Sequence, residues 1–293
     1  MLIKRYLLLV SLFSVLTAGE NTANFFDFYY PSARAGAMGG AQTAVTVDNW
    51  SPFYNPAGLV RMQTEFQLGA AYYQLYNLSG MEAVFGSFGM RLPGKYGHLG
   101  VSIQNLGVSR DEVDLSTESV YQLSHAIFLM KDVNSSLSLG YNIKAMNLEL
   151  GESIFGEDLG SEMVFGLDVG MQANLYRRFW LGFSATNINN PKLGKVNAYD
   201  MPRRYTVGLG YTPFSGVTTA LDFRVNEGED MQILAGMEYY LIEELAIRAG
   251  IVSEPSIFSL GLGVNVANIR FDYAFESHPV LDDTHQFTLV YGF

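Results

Sequence analysis

Ser102 and His98 stand four positions apart, and a serine beside a histidine is the pair from which a hydrolase builds a nucleophile and its base. On an extended chain both side chains leave the same face, with Asn105 nearby. The pair occupies a single segment instead of meeting from neighbouring ones, so nucleophilic catalysis is not expected. The histidines at 98, 125, 278 and 285 lack metal-ligand spacing. His278, Asp282 and Asp283 read better as a solvated loop than as a cation site. With no cysteine in the chain, thiolate ligands, disulfides and a cysteine nucleophile are all excluded. The run from Gly36 to Gly40 has no strand before it, which argues against a phosphate-binding loop. The chain reads as a non-enzyme, with no metal and no cofactor.

The remaining chemistry is charge. Lys144, Asp168, Asp222, Arg224, Glu238, Arg248, Arg270 and Asp272 each fall on the polar side of an alternating segment. An unpaired charge in a narrow interior is costly. These groups are therefore expected to pair with one another and with Arg34 or Asp48, not to select a solute.

Such charges need a framework that turns them inward, and the composition indicates which. Charged residues are 16% and aromatics 14%, with 30 Gly against 9 Pro. That pattern excludes disorder, coiled coil and collagen. The net charge of −11 excludes a phosphate-backbone surface, so no nucleic-acid partner is expected. Lys4 and Arg5 precede an apolar stretch from Tyr6 to Thr17, and small residues follow at Thr17-Ala18-Gly19. Residues 1–19 read as a secretory signal peptide.

From Glu65 onward the chain breaks into segments of roughly ten residues with period-two hydrophobicity, separated by Gly, Asn, Pro and Asp clusters. In the last of them Phe287, Leu289, Tyr291 and Phe293 share one face, opposed by Gln286, Thr288, Val290 and Gly292. Ile269, Phe271, Tyr273 and Phe275 likewise oppose Arg270, Asp272, Ala274 and Glu276. About fourteen strands are expected: 65–75, 79–91, 97–107, 119–130, 135–149, 162–174, 178–187, 202–211, 217–225, 231–240, 244–252, 257–265, 268–276 and 284–293. Ten residues at ~3.3 Å each, tilted by ~45°, rise about 23 Å, close to the ~25 Å apolar band of an outer-membrane barrel. Even-numbered connections are short. Odd-numbered ones include longer loops at 108–118, 150–161, 188–201 and 277–283, which fits periplasmic turns alternating with outer loops; together with 226–230 and 253–256 they hold 14 acids and 3 bases.

A β-sandwich also alternates, but its apolar face is a core and its polar face meets water. Here the apolar face is heavily aromatic and the polar face is full of Gly and small residues. The fold class expected is therefore all-β, a closed antiparallel transmembrane β-barrel of about 14 strands spanning 63–293. It would lie in the outer membrane of a diderm bacterium, with outer-membrane lipid as its surroundings. The terminal Phe287, Leu289, Tyr291 and Phe293 would serve as the signal to the barrel-assembly machinery.

Residues 20–62 do not alternate. They are aromatic from Phe25 to Tyr30, rich in Gly and Ala from Arg34 to Ala41, and turn-forming at Asn55-Pro56. A segment this apolar is expected to pack inside the lumen as a plug, its small residues letting the backbone run close to the wall.

The order Ala33-Arg34-Ala35-Gly36-Ala37-Met38-Gly39-Gly40-Ala41, then Asp48, then Tyr54-Asn55-Pro56-Ala57-Gly58-Leu59, resembles a known N-terminal signature. It is the one shared by FadL-type long-chain fatty acid transporter barrels and the PorV/PorQ family. Pro202-Arg203, Arg248-Ala249-Gly250, Gly261-Leu262-Gly263, Arg270-Phe271-Asp272-Tyr273-Ala274-Phe275 and Thr284-His285-Gln286-Phe287 are similar to PorV/PorQ. The resemblance implies a fourteen-stranded outer-membrane barrel with an N-terminal plug, and it assigns Arg34, Gly36, Met38, Gly39, Gly40, Asp48, Asn55, Pro56, Ala57 and Gly58 to the plug motif. For function it implies a component or relative of a type IX-like secretion and surface-attachment machinery that binds secreted or envelope proteins. The alternative it implies is FadL-type passage of small hydrophobic molecules. The polar inward faces and acidic outer loops suit the first better than a pore for anionic fatty acids.

Overall fold

The computed structural model describes residues 30–111, 113–152, 159–194 and 198–293. The expected signal peptide and the aromatic run at 25–29 lie outside the described residues. Fourteen strands close into one antiparallel barrel. In chain order they are β1 Phe66–Gln74, β2 Met81–Arg91, β3 His98–Arg110, β4 Val113–Lys131, β5 Ser135–Leu150, β6 Ser161–Leu175 and β7 Phe179–Thr186. These are followed by β8 Arg204–Tyr211, β9 Val217–Asn226, β10 Gln232–Ile242, β11 Leu245–Val252, β12 Ile257–Val266, β13 Ile269–Ser277 and β14 Thr284–Gly292.

Each strand pairs with its sequence neighbour, and β14 closes on β1 with Ala70 opposite Leu289 and Gln67 opposite Gly292. Phe66 and Phe293 finish the seam by exchanging backbone hydrogen bonds of 2.9 and 3.0 Å, with their rings stacked 5.3 Å apart. Closure leaves no free sheet edge, which satisfies every strand's backbone in a solvent that cannot hydrogen-bond.

The side-chain period of two then settles the rest. Leu289 and Tyr291 are exposed on the outer surface, while Gln286, Thr288 and Val290 are buried inside. Across the wall Leu68, Val101, Leu123, Ile143 and Phe165 face outward, and Ser87, Ser102, Gln122, Asn142 and Gln172 are buried. An apolar exterior around a polar interior is the reverse of a sandwich. Among the described residues no helix is long and apolar enough to cross a membrane.

One expected loop is absent. Where 108–118 reads as a long connection, β3 runs on to Arg110 and β4 begins at Val113, with Asp111 in the left-handed region at the turn. The ladder continues through a bulge after Val108 and pairs Ser116 with Leu150 on the next strand. Residues 113–115 are exposed on both sides of the strand. Beyond the apolar band neither face needs to be greasy, so the alternation that marks a strand fades while its backbone pairing persists.

Candidate functional site in the barrel lumen

Residues 30–62 lie within the ring of strands, and short local structures hold them there. Ala33–Gly36 forms one helical turn, closed when the amide of Gly40 donates to the carbonyl of Ala35 at 2.9 Å. Gly39 and Gly40 both have positive φ, 61° and 75°, as a helix C-terminal cap requires. Asn55 caps the 3-10 helix Pro56–Arg61 by accepting from the Ala57 amide at 3.1 Å, with Pro56 preset in the first turn. The Asn55 amide group donates to the carbonyls of Thr43 and, on β6, Met171, at 2.7 and 2.9 Å. One side chain thus ties a cap, a loop and the wall together.

Glycines in the wall admit this backbone. A Cβ on Gly250 would lie 2.1 Å from the Gly39 nitrogen, and one on Gly182 would lie 2.2 Å from the Thr43 oxygen. Trp50, Met38 and Leu59 are fully buried inside.

The charges form a chain. Asp48 accepts from Arg270, whose Nε donates to Asp272 at 3.0 Å. Asp272 accepts from Arg248 at 2.9 Å, and Arg248 donates to Glu238 at 2.7 Å. Glu238 takes two hydrogen bonds of 2.8 Å from Arg34, which passes a third to Gln42 at 3.1 Å. Three arginines alternate with three carboxylates, so the chain is neutral as a whole. Its ends, Asp48 and Arg34, belong to the inner segment, and its middle belongs to β10, β11 and β13. Burial draws the Arg34 guanidinium down, but the Glu238 carboxylate outweighs it and holds Arg34 above its ordinary value.

The other four charges arrange themselves differently. Lys144 pairs with Asp168 at 2.9 Å, and Asp168 also accepts from Asn142 and from the Asn187 amide. Asn142 in turn donates to the Pro52 carbonyl. Asp222 and Arg224 take partners on the inner segment, whereas the inward charges were expected to pair with one another and with Arg34 or Asp48. Both point inward from β9, but Asp222 accepts the backbone amides of Gln42 and Thr43 at 3.0 and 2.9 Å, while Arg224 donates to the Tyr30 hydroxyl. Backbone N–H groups brought to the wall thus take this carboxylate in place of the side-chain cation two residues away.

Of the signature residues, Gly36 packs on Glu276 and Gln286, and Gly58 packs on Thr46 within the segment. Met38 lies against Gly236, and Pro56 and Ala57 lie against Gly140. His98 and Ser102 share the inner face of β3, but Asn105 leaves from the opposite face and donates to Ser119 at 3.0 Å. An odd spacing on a strand reverses the face, so the three do not form one constellation.

Two features escaped the sequence reading. Arg61 sits 3.5 Å over the Trp180 ring, and burial pushes it down to about 10, still cationic at neutral pH. At the outer mouth, Val120, Met146, Leu148 and Val164 form a buried apolar cluster with Leu193 and Met201. The last two come from the connection between β7 and β8, which folds inward onto the wall. The signal was present in the sequence: Met146 and Leu148 are apolar on a face that is otherwise polar.

A closed antiparallel barrel with an apolar exterior and a buried ionic interior defines an outer-membrane β-barrel protein. Residues 99–291 match the type IX secretion system membrane protein family PorP/SprF, and the chain belongs to that family. The match begins at Leu99 and so rests on the strands, not on the 33–59 signature. It places the chain under PorP/SprF, where the signature resembled PorV/PorQ.

No curated protein matches the chain. Among solved structures, the Ralstonia pickettii toluene transporter TbuX is similar with a TM-score of 0.64 at 12% identity, covering 92% of this chain and 100% of its own. The P. putida toluene transporter TodX gives 0.63 at 13%, covering 91% and 99%. A Pseudomonas aeruginosa FadL homologue gives 0.60 at 11%, covering 94% and 100%. At these identities the likeness is one of fold.

Proposed function

We propose that this protein acts in a type IX secretion machinery by binding secreted or envelope proteins, with residues 20–62 as a plug that keeps the lumen closed. The membership in PorP/SprF carries this reading. The interior supports it: many inward side chains are Ser, Thr, Asn, Gln or charged, and Arg34, Asp48 and Asn55 fix the described part of the inner segment to strands on several sides. A route for hydrocarbons needs a continuous apolar lining. The barrel would engage outer-membrane lipid with its exterior and the barrel-assembly machinery with its terminal strand. No enzymatic role is proposed.

The competing reading is passage of small hydrophobic molecules, as the printed names of the similar transporters suggest for those proteins. A photo-crosslinker at Val280, exposed on an outer loop, separates the two. Capture of a secreted protein, with hydrophobic-solute uptake unchanged on loss of the chain, supports secretion. Saturable uptake that vanishes with the protein, and no captured partner, would replace this reading with transport.

A further inference from the structure

The connection from β2 to β3 is an even-numbered turn and therefore lies on the periplasmic side. Beside it is a cavity of about 510 Å³ that the ion chain does not reach. Arg91, Lys95 and Lys131 line it, and Met62 and Phe128 supply apolar surface. Among the described residues none of these three cations has a carboxylate partner within ion-pair distance. That is notable in a chain of net charge −11. Lys131 instead lies 4.6 Å over the Phe128 ring.

At the back stands His98, directly across the ladder from Arg91 and only 6% exposed, with neither ring nitrogen hydrogen-bonded. A buried polar group left without a partner is costly and calls for an explanation. The turn that carries Lys95 is also held in place. Leu92 donates to the Gly97 carbonyl at 2.8 Å, and His125 Nε2 donates to the Tyr96 carbonyl at 2.7 Å.

We propose that this cup binds a short acidic segment of a periplasmic protein, with carboxylates at Arg91, Lys95 and Lys131 and an apolar side chain against Met62 and Phe128. Charge complementarity selects the sign, and the apolar surface beside the cations favours a peptide over a free anion. The proposal extends the protein-binding reading to the opposite end of the barrel from the outer loops.

The test uses the full-length protein in zwitterionic nanodiscs with a fluorescein-labelled peptide of alternating Glu and Leu. A Lys-Leu peptide, inorganic phosphate and phosphatidylglycerol vesicles serve as competitors. Expected are salt-sensitive binding of the Glu-Leu peptide, a changed ring-nitrogen NMR signal of His98 on binding, and about tenfold weaker binding for Arg91→Gln with Lys131→Gln. That double variant should keep the heat-modifiable mobility of a folded barrel. Arg110→Gln, at the outer end, serves as the control and should bind as wild type.

Equal binding of the Lys-Leu peptide, or wild-type affinity in the folded double variant, would overturn the proposal. Displacement by phosphate alone would reduce the cup to a small-anion site, and displacement by the vesicles alone to a lipid contact; either refutes a peptide site. Capture of a secreted protein at Val280 despite such a result would leave the secretion reading standing and remove only this inference.

Discussion

Arg34 and Glu238 are 204 positions apart in the chain and meet inside the barrel through two parallel hydrogen bonds of 2.8 Å. Glu238 also receives Arg248, so one carboxylate links the inner segment to two neighbouring strands.

Glu238→Gln should therefore leave the buried Arg34 guanidinium without its carboxylate and take one of two carboxylates from Arg248, at a cost of about 3–5 kcal/mol. The expected result is a lower unfolding midpoint by heated gel mobility. Replacing Arg34 and Glu238 together by Met should restore part of the loss, because Asp48, Arg270, Asp272 and Arg248 then remain as a neutral, paired chain. A wild-type midpoint for the single variant would contradict the ion-chain account.

Gly250→Leu should push the inner segment off the wall, since even a Cβ there would fall 2.1 Å from the Gly39 nitrogen. In planar bilayers the wild-type protein is expected to conduct little and this variant to conduct more. Deletion of residues 20–62 should give the largest conductance of the three. Identical traces would remove the plug from the proposed function.

Leu289 sits near the middle of β14 on the outer face. Leu289→Arg places a charge toward hydrocarbon, worth about 2–4 kcal/mol at the midplane. Assembly into vesicles should fall sharply, while Leu289→Phe should assemble like wild type. Equal yields would mean that the faces are assigned the wrong way round.

Met201 is fully buried in the cluster at the outer mouth. Met201→Ala and Leu148→Ala should each cost about 2–5 kcal/mol locally. The expected outcome is faster protease cutting within 187–203 with heat-modifiable mobility retained. Unchanged cutting would show that the connection is held by other contacts.

The sequence by itself determined where the strands cross the apolar band, how many there are to within the count of about fourteen, and which face of each turns outward. Each strand crosses an apolar medium around a polar interior, so period-two alternation is a local property that Phe287, Leu289 and Tyr291 display without reference to anything distant. The signature from Arg34 to Gly58 was equally legible as small residues and turn formers.

Only the tertiary structure decided which partners meet. Nothing local to Asp222 says that it will take the amides of Gln42 and Thr43 instead of its neighbour Arg224, because that depends on the register of the wall and the path of the segment inside it. The tight turn at Asp111 was hidden for a related reason. Where the strands rise past the apolar band, backbone pairing continues but the solvent no longer imposes a pattern on the side chains. The inward fold of Leu193 and Met201 was likewise set by ring closure, which brings Met146 and Leu148 to one mouth and leaves them an apolar surface to cover.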